Sequence, residues 1–319
     1  MIGDHTRSDR DAVPQQDNDN MQAVEFGAGG RRRGNAAGVW WRSGAGLCMA
    51  ALLLWGESAA AACSRVMRVP VATIGLSVTA SGGAVAGVYP DVLRRIEADS
   101  GCRFEFSVVP RARLEAMFIS GQADLLLPAT RTPARDARGH FVPMGKARAV
   151  MISLASDRPG VSSLQELLDR RDLRVALVRG FDYGEAYQQI IPQLKDQQRL
   201  VMEADPVAVV RALERGLADV TVMAPSILAG TLLQDSRSRP MLDRLRYEPL
   251  AELNWGDNGV YLSPQLSAAD REQLTELLDK AARSGVFWKA VQRHYPPGSY
   301  EEGLRALSPA PLAPPAQTK

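Results

Sequence analysis

The sequence predicts an α/β protein built on largely parallel sheets. Three observations lead there. Strand-like and helix-like segments alternate from residue 68 onward. The chain has 319 residues, more than one average domain and in keeping with about two. A local pattern also occurs twice: residues 120–129 read Ser-Gly-Gln-Ala-Asp-Leu-Leu-Leu-Pro-Ala, and residues 215–224 read Arg-Gly-Leu-Ala-Asp-Val-Thr-Val-Met-Ala. Each copy is a helix end, a glycine stop, Ala-Asp and an apolar strand. Two readings are open. Any helix leading into a buried strand has this outline. Alternatively, two similar lobes each bring the carboxyl end of one strand to a shared cleft, where ligands of open α/β sheets bind.

The elements follow in order. Residues 68–74 read as a strand, then a glycine loop, Ser81-Gly82-Gly83. Pro90 opens a helix whose buried face carries Val92, Leu93 and Ile96, and Gly101 ends it. Residues 104–109 form a strand. Leu114, Met117 and Phe118 mark a helix stopped by Gly121, and 124–127 is a buried strand. Residues 147–155 form another strand. Ser163 caps a helix bearing Leu164, Leu167 and Leu168; strand 174–178 ends at Gly180; helix 183–194, strand 200–203, helix 207–213, strand 219–223 and a helix opened by Pro225 follow. In the last part, 259–262 is a strand, Ser267 caps a long helix with Asp270 in a near capping box, and Phe287, Trp288 and Val291 begin a final helix.

The first 62 residues read as a leader and export signal rather than as fold. Residues 1–30 are polar, and Met21 is a candidate alternative start. Arg31-Arg32-Arg33, an apolar run over 46–55 and the small residues Ala59 to Ala62 make a secretory signal. The apolar run falls short of the roughly 20 residues that span a bilayer. Cys48 would leave with this segment, which keeps Cys63 and Cys102. In an oxidising compartment two cysteines pair, and a loop of about 40 residues would then be stabilised by roughly 4 kcal/mol. Two other readings stay open: Cys63 as a lipidated first residue, for which Ala60 is a poor upstream signal, or two free thiols. The net charge of +2, without a basic stripe, argues against a nucleic-acid partner. Residues 307–319 are rich in Pro and Ala and unsuited to a packed core.

Three stretches carry a family resemblance. Residues 114–135 contain Ser120-Gly121-Gln122-Ala123-Asp124 and then Thr130-Arg131-Thr132-Pro133-Ala134-Arg135. Residues 163–167, Ser-Leu-Gln-Glu-Leu, lead into 173–180. Gly285-Val286-Phe287-Trp288 precedes His294-Tyr295. In order and spacing the chain resembles the bacterial extracellular solute-binding proteins of family 3, the amino-acid-binding branch of the two-lobed periplasmic binding proteins of fold type II, over residues 68–295. The resemblance implies two Rossmann-like α/β lobes joined by two crossover hinge segments. Residues 63–150 and 250–300 would form lobe one, 151–249 lobe two, and 301–319 a tail. It further implies a periplasmic monomer that uses no cofactor or metal, performs no chemistry, and hands a small solute to an ABC permease in the inner membrane.

Candidate ligand residues divide between the lobes. Thr132 and Pro133 start a helix that sets Arg135 in its first turn, where a guanidinium can grip a carboxylate in a bidentate way. In the family the matching arginine binds the ligand carboxylate, and the position of Thr130 adds a hydroxyl. The alternative is a surface arginine paired with Asp136 or Asp169. Gly180, Phe181 and Asp182 form a glycine turn before a helix, which offers N–H donors to an anion, although Asp182 would repel one. Arg113 and Tyr89 are further candidates; Trp255 and Met223 are read as packing residues. Two positions depart from the family pattern. Ala224 stands where an aspartate usually meets the ligand ammonium, and the loop Gly75-Leu76-Ser77-Val78 has no aromatic. An unpaired desolvated ammonium costs several kcal/mol, so a carboxylate, another anion or a neutral polar solute is expected over an ordinary α-amino acid. Two other functions compete: a free-standing ligand sensor or co-receptor, and a dehydratase-like enzyme using Asp182 or Glu185 as acid or base.

Overall fold

The computed structural model describes residues 63–307. The leader, the export signal with Cys48, and the tail beyond 307 lie outside the described residues.

The chain opens with β1 (Met67–Val71), a hairpin of β2 (Thr79–Ser81) and β3 (Ala84–Ala86), helix α1 (Val88–Ser100) and β4 (Phe104–Val108). Helix α2 (Arg111–Ile119), β5 (Leu125–Thr130), the single turn α3 (Pro133–Asp136) and β6 (His140–Ala147) follow. The chain then crosses into a second lobe: β7 (Val150–Leu154), α4 (Leu164–Asp169), β8 (Val175–Val178), α5 (Glu185–Asp196), β9 (Leu200–Glu203), α6 (Pro206–Glu214), β10 (Val220–Met223), α7 (Pro225–Gln234) and β11 (Leu245–Glu248). It returns with β12 (Gly256–Leu262), α8 (Ala268–Arg283), α9 (Val286–His294) and β13 (Leu304–Arg305).

The second lobe rests on one sheet in the order β11-β7-β10-β8-β9. The first carries the sheet β13-β6-β12-β5 and the parallel pair β1-β4, tied to it where the Asp124 N–H donates to the Arg68 carbonyl at 2.9 Å. Strands β8 and β10 are buried along their whole length, as expected of strands covered on both faces. Side-chain caps fix the helix starts. Ser163 accepts from Glu166 N–H, Asp205 from Ala208 N–H, and Ser267 from Asp270 N–H.

The sheets are mixed rather than largely parallel. Strands β1-β4, β8-β9 and β8-β10 run parallel, but the crossover strands β6, β7, β11 and β12 pair antiparallel with their neighbours. A chain that leaves a lobe and returns must reverse direction at those strands. The expected glycine loop at 81–83 is the tip of the β2-β3 hairpin: Gly82 and Gly83 both have positive φ, which glycine supplies without steric cost. Helix α1 begins at Val88, two residues before Pro90, because a proline in the first turn removes an N–H that has no intrahelical partner. Strand β6 was not anticipated, since its run His-Phe-Val-Pro-Met-Gly is broken by Pro143 and Gly145. Ladder pairing also continues to Arg305, past the expected lobe end at 300, with Tyr300 and Leu304 buried.

The repeated pattern has one structural meaning in both lobes. Asp124, 0% exposed, accepts Arg68 N–H at 2.7 Å and the guanidinium of Arg68 at 2.8 Å, and also binds Arg65 at 2.6 Å. Asp219 accepts Arg174 N–H at 2.8 Å and its guanidinium at 3.0 Å. Each aspartate pins the start of the neighbouring parallel strand. Burial alone would raise the Asp124 carboxyl, but the hydrogen bonds from Arg65 and Arg68 outweigh it and hold the group well below the usual carboxylate range.

Cys63 and Cys102 form a disulfide with Cα atoms 4.7 Å apart. Its only sulfur is engaged there, so of the three readings for Cys63 the bridge stands. At the crossovers, the Trp255 ring lies between the guanidiniums of Arg148, 4.9 Å away, and Arg305, 3.9 Å away.

Candidate functional site

The carboxyl ends of the parallel strands converge between the lobes, where open α/β sheets bind ligands. Ile74 follows β1, Arg111 follows β4, and Pro128 and Thr130 close β5. From the second lobe come Phe181, Asp182 and Tyr183 after β8, and Ala224, Ser226 and Ile227 after β10; Asn258 of β12 completes the wall. They enclose a cavity of about 40 Å³.

Arg111 is the dominant group. It opens α2, and with Leu114 and Phe118 it makes up that helix's buried residues. Only 8% exposed, its guanidinium has a single long hydrogen bond, from Nη1 to the Pro128 carbonyl at 3.4 Å, while Nε is buried without a partner. Its one other companion is the Phe181 ring of the opposite lobe, 5.7 Å to the centroid. Burial, and then the nearby Arg135, lower its pKa to about 10, so it remains a cation at neutral pH. A buried cation with unfilled donors is an anion acceptor: buried charges are ordinarily paired.

Polar groups surround it. The Tyr183 hydroxyl accepts from Ala224 N–H at 3.1 Å, and burial pushes its pKa up to about 12. It keeps its own proton to donate. Tyr89 donates to Asn258 Oδ1 at 2.7 Å, which orients that amide and leaves its NH₂ for the cavity. Ser226 lies in the first turn of α7, whose start has no side-chain cap. Asp182 Oδ1 accepts from Gly184 N–H at 2.9 Å, which holds its carboxylate at the cavity wall.

Of the residues expected from sequence, Thr130, Phe181, Asp182 and Ala224 line the cavity. Gly180, at φ +83°, packs so closely that a Cβ there would stand 2.9 Å from Ala112 Cα in the other lobe. Tyr89 stands behind Asn258. Arg113 is exposed and does not reach the cavity. Arg135 is in another place than expected: 3% exposed, it gives Nη2 to Glu115 at 2.8 Å and Nη1 to the Thr130 carbonyl at 3.1 Å. It is therefore neither a cavity cation nor a surface arginine. Asp136 is taken by Arg131 and Tyr261, and Asp169 by Gln165. Met223 is core, as read.

Arg111, Tyr183, Ser226 and Asn258 were missed. Arg111 was legible: it shares the i, i+3, i+7 face of Leu114 and Phe118, whereas Arg113 falls off that face. The acid missing at Ala224 is not missing from the site, because Asp182 lines the same cavity. The sequence argument against an ammonium group therefore loses its ground. Among the described residues no cluster of His, Cys, Asp and Glu could hold a metal ion, and no helix is long and apolar enough to cross a membrane.

Comparison with known proteins agrees with this geometry. Comparison with curated proteins found no match. Among solved structures, a histidine kinase sensor domain with similarity to periplasmic binding proteins is 18% identical, with a TM-score of 0.58, covering 73% of this chain and 96% of its own. The substrate-binding protein of an amino acid ABC transporter is 16% identical, with a TM-score of 0.57, over 72% of this chain and 99% of that one. An amino acid ABC transporter substrate-binding protein from Streptococcus pneumoniae, bound to L-arginine, is 16% identical at a TM-score of 0.57, over 72% and 93%. At such identities the likeness establishes the two-lobed fold. The family model for bacterial extracellular solute-binding proteins matches residues 76–240. The chain belongs to that family of bacterial extracellular solute-binding proteins.

Proposed function

We propose that this chain is the periplasmic capture component of an ABC importer, and that it holds a small solute bearing a carboxylate or similar anion in the interlobe cavity without altering it. The observation that carries the reading is Arg111, a buried guanidinium with unfilled donors aimed at a cavity walled by both lobes. In the complex the anion occupies Arg111, Tyr183 and Ser226 donate to it, and Asp182 and Asn258 select what is attached. Family membership supports the extracytoplasmic location, and the signal segment of residues 31–62 supplies the route. Residues 63–150 and 250–300 act as lobe one and 151–249 as lobe two, closing about the crossovers.

Isothermal titration of the mature protein with small carboxylates tests this. Binding that Arg111→Gln weakens by at least about tenfold, with the solute recovered unchanged, supports the reading. Binding unaffected by that change removes it. The fold shared with a kinase sensor domain supports a second reading, in which the same cavity reports to a receptor. Deleting the gene then abolishes a ligand-induced response while uptake of labelled ligand continues.

A further inference from the structure

The cavity of about 40 Å³ is small for a complete ligand. A water needs about 10–15 Å³ of such space, so this chamber holds on the order of three waters, enough for a head group. Arg111 has a second exposure. It also lines a groove of about 1000 Å³ running between the lobes, away from the inner chamber. Ligand pockets are ordinarily about 300–1,000 Å³.

The groove has a distinct chemistry. Five large apolar side chains stand exposed among the described residues. Two of them, Val108 at 53% and Val207 at 44%, line this groove from opposite lobes. Val109, Pro110 and Val210 extend the apolar walls. The charges along it balance, with Arg211, Arg215 and Arg237 against Asp205, Glu214 and Asp235. Arg111 is thus the net charge of the groove as well as the wall it shares with the inner chamber.

Resting on the solute-binding reading above, we infer that the ligand is an elongated amphipathic acid: its anionic head sits on Arg111 in the inner chamber and its apolar body lies in the groove between Val108 and Val207. A compact amino acid or acetate-sized anion would leave those valines in water and gain nothing from them.

The test uses the disulfide-intact mature protein and four probes in calorimetric titration: acetate, hexanoate, 3-phenylpropionate and the neutral 3-phenylpropionamide. Burial of each methylene is worth about fourfold in affinity, so hexanoate and 3-phenylpropionate are expected to bind at least about tenfold tighter than acetate, and the amide at least about tenfold weaker than its acid. Val207→Asp, a change at an exposed helix position, is expected to remove the advantage of the longer acids and leave acetate unchanged. Acetate binding as tightly as the longer acids, with Arg111→Gln still abolishing binding, overturns the elongated ligand and leaves the carboxylate site standing. Binding that ignores Arg111→Gln, or no binding of any acid, overturns both. Arg111→Lys keeps the charge and serves as the control should the glutamine variant misfold.

Discussion

The guanidinium of Arg111 lies over the ring of Phe181 at 5.7 Å, so a cation of one lobe caps an aromatic of the other. Cation and ring meet only when the lobes are together. A desolvated contact of this kind is worth about 2 kcal/mol, and it draws the lobes together at the point where the ligand would enter.

Arg111→Gln separates binding from stability. The change removes a buried charge with one long hydrogen bond, so the melting temperature should stay the same or rise, while affinity for a carboxylate ligand falls by about 10- to 100-fold. Thermal melts with titration calorimetry check it. A large loss of stability would mean that the guanidinium is structural.

Arg135→Gln should behave in the opposite way. The pair with Glu115 and the bond to the Thr130 carbonyl tie α3 to α2 and β5. Because Glu115 is partly exposed, the loss is about 2 kcal/mol rather than the larger value of a wholly buried pair. Urea unfolding should register that loss. Ligand affinity should change only in so far as Thr130 shifts.

Gly180→Ala should weaken ligand binding more than it weakens the fold. A residue at φ +83° costs about 1–2 kcal/mol without glycine, and its Cβ would meet Ala112 across the cleft. The lobes then cannot come fully together. Small-angle scattering with saturating ligand should show the variant more open than the parent.

Acid should expose the Asp124 clamp. Its folded pKa lies below the unfolded carboxylate value of about 3.9, so the stability it contributes is complete above that value and is lost as pH falls through the folded pKa. Asp219 and Asp270 are lowered in the same direction by their hydrogen bonds, against the opposing effect of burial. Asp124→Asn should lower stability at pH 7 and flatten the fall in melting temperature below about pH 4. A variant with the parent's slope would contradict the assignment.

Reduction of Cys63–Cys102 should cost about 4 kcal/mol in the chain-entropy account of a loop this long. Melting with and without reductant, followed by circular dichroism, measures it.

The elements most legible in the sequence were those with local signals. Ser163, Asp205 and Ser267 announced their helices by capping, and the apolar runs of β8 and β10 announced buried strands. The repeated Ala-Asp was visible too, although its role as a pin for Arg68 and Arg174 needed the strand partners that only the fold supplies. β6 was hidden because Pro143 and Gly145 interrupt its pattern, and an antiparallel neighbour such as β12 leaves no mark in β6 itself. The site was half legible. Phe181, Asp182, Thr130 and Ala224 follow from strand ends. The choice among Arg111, Arg113 and Arg135 depended on which guanidinium Glu115 takes, a contact across 20 residues of chain.

The stack of Arg148, Trp255 and Arg305 gives the crossovers an optical property. Of the five tryptophans in the chain, three precede residue 63, and Trp288 packs edge-on against Tyr300 in the first lobe. Trp255 is thus the indole at the hinge, held between two positive charges. Indole emission shifts with the charge beside the ring, so any motion that re-spaces the two crossovers changes its colour. The intrinsic fluorescence of the unlabelled protein becomes a gauge of lobe movement.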